Sequence, residues 1–89
     1  MLATSKVSEK YRDLNAFLAR ELKKARKAAK LTQKELAVRA GFNQSTVCHV
    51  EKGGASLNPG LFTLMALFEA LGVDLLKVIG RARKSISKT

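Results

Sequence analysis

Residues 32–53 read TQKELAVRAGFNQSTVCHVEKG, and the glycine near their centre decides how the chain folds. Thr32-Gln33-Lys34-Glu35 has the spacing of a capping box, a Ser or Thr followed three residues later by Glu or Gln. It predicts a helix starting at Thr32, with Leu36, Ala37 and Ala40 facing inward. Gly41 is the residue type that ends a helix in a left-handed turn. Phe42 supplies an apolar plug and Asn43 a good N-cap for a further helix. That helix buries Val47 and Val50, three residues apart, and stops at Gly53 and Gly54. Two short helices joined through a glycine turn make a helix-turn-helix. Ala37 lies where the two helices meet, and its small side chain lets them approach.

With Val47 and Val50 inward, Gln44, Ser45, Cys48 and His49 form the outward face of the second helix. A solvated helix face ordinarily carries Lys and Glu. This one is uncharged but rich in hydrogen-bonding groups, as reading base edges requires. Glutamine can engage N6 and N7 of adenine together in the major groove. Serine suits several bases, and histidine can donate to a guanine or a phosphate. The bland alternative is a polar surface without a partner. Cys48 has no second cysteine to resolve it, so a redox role has no support, and its role stays open.

Outward from this core, residues 1–12 read as a flexible N-terminal arm, with a helical turn near 8–12 as an option. From Asp13 an amphipathic helix begins. Leu14, Leu18, Leu22, Ala25 and Ala29 recur at steps of three and four, and Phe17 widens the face. Asp13 or Asn15 is placed to cap it. Lys23, Lys24, Lys27 and Lys30 lie toward its end, where cations suit the helix dipole. Residues 55–60 read as a loop. A fourth helix follows from about residue 59 or 60 to Leu71, with Leu61, Leu64, Met65, Leu67, Phe68 and Leu71 apolar and Gly72 ending it. Residues 73–79 admit two readings, a short fifth helix capped by Asp74 or a strand. The tail, 81–89, is basic and acid-free, and is expected to be solvated and mobile. The expectation is an all-α, compact four- to five-helix bundle over 13–80, with a short C-terminal strand left open.

Composition narrows the function. The 89 residues suit one small domain whose thin core a partner subunit would help stabilise. Seventeen Lys and Arg against seven Asp and Glu give a net charge of +10, which points to a polyanionic partner, with nucleic acid ahead of an acidic membrane surface. One Cys and one His exclude an intramolecular disulfide and argue against a zinc site. No apolar run is long enough to cross a bilayer, and the N-terminus lacks the apolar stretch of a secretory signal. A reducing, cytoplasmic setting is expected. Paired carboxylates, a nucleophile with its base and a phosphate-cradling glycine loop are all missing, so no enzyme and no cofactor is expected.

The segment LTQKELAVRAGFNQSTVCHVEKG resembles the phage-repressor and Cro-type (Xre) helix-turn-helix family. It matches the pattern Leu-Thr-Gln, Glu-Leu-Ala, Gly, Ser/Thr-hydrophobic and Glu-x-Gly. The likeness extends through LFTLMALFEALGVDLL and covers roughly residues 18–78. It implies a lambda-repressor-like fold and a DNA-binding regulator of transcription, most often a repressor. By that resemblance Gln44, Ser45 and His49 meet bases. Gln33, Asn43, Thr46 and Lys52 hold phosphates. Arg26 and Glu51 match a structural ion pair that orients Arg26 near the backbone, and Lys23 is a further candidate there. Cys48 and His49 depart from the commonest readers, so the operator sequence is not deducible.

Phe62 and Ala66 form a second apolar stripe on the fourth helix, with Val78 and Ile79 beyond. Such exposed clusters suggest an interface. A homodimer would set two recognition helices about 34 Å apart, one turn of double-stranded DNA. The end of the chain is also similar to HipB-like antitoxins, in which a strand after the fourth helix pairs across the dimer and a toxin kinase is bound; 73–79 would supply that strand. The alternative of another class is a helix-turn-helix adaptor that binds proteins without reading DNA sequence.

Overall fold

The computed structural model describes residues 14–53 and 60–87. They form five helices: α1 Leu14–Ala28, α2 Gln33–Ala40, α3 Gln44–Lys52, α4 Leu61–Ala70 and α5 Leu75–Ser87. No strand occurs among them. The arm at 1–12, the Asp13 cap, Gly54 and most of the loop at 55–60 lie outside the described residues.

The α1 stripe is real but turns differently from its expected course. Leu18 and Leu22 are buried, with Ala19 beside them and Leu14 and Phe17 packed against the core. One turn on, the buried residue is Arg26 rather than Ala25 or Ala29. Ala29 is exposed because the helix has already ended. Lys30 adopts a left-handed φ of 60°, and Leu31 N donates to Arg26 O at 3.2 Å. Asn15 lies inside the first turn and is not the cap.

The helix-turn-helix forms as its sequence dictates. Glu35 N donates to Thr32 Oγ1 at 3.0 Å, and Thr32 N donates to Glu35 Oε1 at 2.8 Å, completing the capping box. At the other end Gly41 takes φ 83°, while Phe42 N reaches Ala37 O and Gly41 N reaches Val38 O. This is the Schellman arrangement, which satisfies carbonyls the helix would leave unpaired. Asn43 then caps α3 by accepting from Thr46 N at 3.2 Å. Gly53 closes α3 with φ 61°, and a Cβ there would stand 2.8 Å from Ala19 Cβ and 3.3 Å from Ala16 Cα. Only glycine lets the end of α3 lie this close to α1.

The core sits where all five helices converge. Leu22, Leu36, Val47, Leu67, Phe68 and Val78 are its most enclosed large side chains. α2 packs on α3 and α4, and α1 packs on α3 and α5, while α5 also meets α4. Of the apolar α4 residues, Leu64, Leu67 and Phe68 are buried, but Leu61 and Met65 are exposed.

Residues 73–79 form no strand, which resolves the open choice. Gly72, at φ 72°, turns the chain. Asp74 Oδ1 then accepts from Leu76 N at 3.0 Å and starts α5. The expectation of a mobile tail is also corrected. α5 continues through residue 87, and its Leu75, Val78 and Ala82 enter the core at i, i+3 and i+7. Arg81 NH2 donates to Glu21 Oε1 at 3.0 Å, tying α5 to α1. None of the described helices is long and apolar enough to cross a membrane.

Candidate nucleic-acid interface

α3 is held by its inner face and presents the other. Val47 and Val50 are buried, whereas Gln44, Ser45 and His49 are exposed together, with Lys52 exposed at the last turn and Cys48 half-buried. The first turn carries a small polar cluster. Asn43 Oδ1 accepts from Ser45 Oγ at 2.8 Å, from Thr46 Oγ1 at 3.0 Å and from Thr46 N. All three partners donate, so this atom is the amide oxygen, and the Asn43 NH2 group points away with its donors unspent. Ser45, having given its proton to Asn43, offers its oxygen as an acceptor. Thr46 is half-buried, its hydroxyl proton also committed to Asn43. At the ends of α3, then, the Asn43 amide and the Lys52 ammonium are the donors left for a backbone.

The orientation of α3 is set by a buried ionic knot. Arg26 Nε donates to Glu51 Oε2 at 2.6 Å and Arg26 NH2 to Glu51 Oε1 at 3.0 Å. Arg26 NH1 donates to Leu31 O at 2.8 Å. The pair is bidentate, which adds geometric restraint to charge attraction. Its hydrogen bond to Glu51 pushes the Arg26 pKa further up, against the opposing effect of burial. Gln33 Nε2 also donates to Glu51 Oε1, at 3.1 Å. One carboxylate at the end of α3 therefore gathers α1 and the start of α2. The link from Gln33 was not visible in the sequence, since nothing in its spacing separates it from a solvent-facing glutamine.

Two of the expected site residues are buried. Arg26 is 8% exposed with three of its five N–H hydrogens engaged within the chain, so its evident role is to position α3. Val78, at 1% exposure, belongs to the core and presents nothing to a partner subunit. Ile79 is half-buried against the same core. Gln33 is half-buried, with one amide hydrogen spent on Glu51 and the second still able to donate. Lys23 is exposed on α1.

On α4, Phe62 is 76% exposed and stands edge-on to Phe42, with ring centroids 6.2 Å apart. Ala66 is half-buried beside it. Phe62, Met65, Ala66 and Ala70 line a shallow depression flanked by Arg39 and Glu69. Leu61, Met65 and Leu76 add exposed apolar surface that periodicity alone had assigned to the core or left unassigned.

The family model described as "Helix-turn-helix" matches residues 22–78, the span from the middle of α1 into α5. Two curated proteins of Sinorhizobium fredii are similar. The first, "Uncharacterized HTH-type transcriptional regulator y4dL", is 34% identical over 58 residues, covering 65% of this chain but only 29% of that relative. The second, "Uncharacterized HTH-type transcriptional regulator y4dJ", is 31% identical over 67 residues, covering 75% of this chain and 84% of that protein. No solved structure matches significantly. With the turn, its caps and the outward polar helix in place, the chain belongs to the phage-repressor and Cro-type helix-turn-helix family of DNA-binding transcriptional regulators.

Proposed function

We propose that this chain is a sequence-specific repressor that binds a near-palindromic operator as a homodimer. One observation carries the reading: an exposed, uncharged, hydrogen-bonding face on α3, braced from behind by the Arg26–Glu51–Gln33 knot. A brace that fixes a helix to its neighbours is what base reading requires, because a bidentate contact tolerates little angular error. In this reading Gln44 pairs with a base edge, Ser45 accepts from one, and His49 reaches a base farther along. Lys52, the Asn43 amide, the second Gln33 hydrogen and Lys23 hold phosphates. Thr46 serves the backbone only indirectly, by fixing Asn43.

The homodimer is supported by the apolar face on α4. Phe62, Met65 and Ala66 lie between Arg39 and Glu69, charges of opposite sign. A two-fold pairing would set Arg39 of one copy against Glu69 of the other. The antitoxin variant loses its structural motive, because the segment that would pair as a strand is helical. Selecting bound sequences from random duplex DNA tests the proposal. A near-palindrome with half-sites about one turn, roughly 34 Å, apart is expected. Recovery of unrelated sequences, with a binding constant flat in salt, would favour a protein-binding adaptor instead.

A further inference from the structure

The reading helix holds little of the chain's positive charge, since Lys52 and His49 are its only basic side chains. The surplus lies on α1 and α5. On α1, Arg20, Lys24 and Lys27 recur at i, i+4 and i+7 and are all exposed, so they form one stripe. On α5, Lys77, Arg81 and Lys84 repeat the same spacing and are also exposed. The two helices pack together, and the stripes are joined where Arg81 holds Glu21, the residue next to Arg20. Arg20 is itself steadied by the Phe17 ring, 6.0 Å from its guanidinium. Glu21 is the only acid on either helix, and Arg81 engages it. Each helix thus carries a basic stripe about 10 Å long, and the two helices are tied at the Arg81–Glu21 pair; together the stripes make the α1–α5 ridge. On α1 the stripe faces away from the buried side of Leu18, Leu22 and Arg26, whereas the end of α3 meets α1 at Ala16 and Ala19.

What such a ridge can bind follows from what it lacks. Among the described residues the exposed large apolar side chains are Val38, Leu61, Phe62, Met65 and Leu76, and none of these lies on either stripe. The apolar side of α5 is consumed by the chain's own core through Leu75, Val78 and Ala82. A helix that lies on a bilayer needs an apolar face to bury, and a protein interface needs a largely uncharged centre. A sugar-phosphate backbone needs neither, only spaced cations. We propose that the α1–α5 ridge is a second binding surface for DNA phosphates, separate from the face that reads bases. The proposal rests on α3 engaging DNA, because that contact delivers a polyphosphate to the ridge. The phosphates come from the flank of the same duplex or from a second duplex captured beside it.

The test uses the full chain with Lys24→Gln, Lys27→Gln, Lys77→Gln and Lys84→Gln combined, which spares Arg20 and Arg81 and their contacts with Phe17 and Glu21. An unchanged thermal melt establishes that the variant folds. Fluorescence anisotropy on a random-sequence duplex is then followed against salt. The log–log slope should fall by about 0.9 for each lost contact, to a limit of roughly 3.6. The ratio of affinities for a selected site and random DNA should stay constant. If the flank of the same duplex is the source, lengthening the site duplex tightens the wild type and not the variant. If a second duplex is the source, a differently labelled duplex joins the wild-type complex and not the variant's. An unchanged slope overturns the proposal, as does a loss confined to anionic vesicles with duplex binding kept. If the wild type shows no preferred site while the variant still lowers the slope, the reading of α3 fails and the ridge stands.

Discussion

Glu51 is one carboxylate shared by a guanidinium from α1 and an amide from α2, and it is nearly enclosed, with 4% of its side chain exposed. Such a pair contributes little net stability by existing, because both charges are desolvated; removing one partner strands the other. Glu51→Gln is therefore expected to destabilise the fold by about 3 kcal/mol or more. Arg26→Met with Glu51→Leu should recover most of that loss in urea unfolding, since neither charge is then buried alone. If the single variant unfolds like the wild type, the knot does not brace α3. The pair itself was legible through its resemblance to a family feature. The sequence did not show that Arg26 would be covered, because its neighbours Lys23, Lys24 and Lys27 are all exposed and the four look alike in a basic run. Arg26 is on the inner face because it follows the buried Leu18 and Leu22 at steps of four, and the early end of α1, at a left-handed lysine, leaves Ala29 outside the helix.

At the scale of elements, the segments with explicit punctuation were the readable ones. α2 and α3 begin at Thr32 and Asn43 and end at Gly41 and Gly53, each marked by a residue type with a mechanical reason to be there. α5 was the least readable. Its buried positions include the small Ala82 among Arg, Lys and Ser, so composition suggested a solvated tail while the helical period ran on beneath it. The capping box has a pH signature. Hydrogen bonds from Thr32, the backbone N–H first, hold the Glu35 carboxyl below its usual range. A carboxyl whose folded pKa is depressed stabilises the fold above its unfolded pKa and loses that contribution as pH falls through the folded one. The stability difference between wild type and Glu35→Gln should thus be greatest near neutrality. It should shrink steadily as pH drops through and below the ordinary glutamate range. A difference independent of pH would mean the carboxylate charge plays no part in the cap.

The whole molecule exposes two faces of different character: a polar face on α3 and an apolar face on α4 centred on Phe62 and Met65. Phe62 meets Phe42 in a T-shaped arrangement and is largely exposed. Phe62→Asp is therefore expected to preserve the fold, convert a dimer to monomers in sedimentation, and weaken binding to a palindromic site about 100-fold or more through lost avidity. A variant that sediments as the wild type would move the dimer contact elsewhere. The central claim is that α3 reads bases through its exposed side chains, and it is tested most directly by Gln44→Ala. Binding of that variant and of Lys52→Ala is measured on a selected site and on each of its single base-pair changes. Gln44→Ala should lose about 1–3 kcal/mol and become indifferent to one base pair per half-site, while Lys52→Ala weakens all sequences alike. If Gln44→Ala also weakens every sequence equally, Gln44 does not read bases and the claim is contradicted.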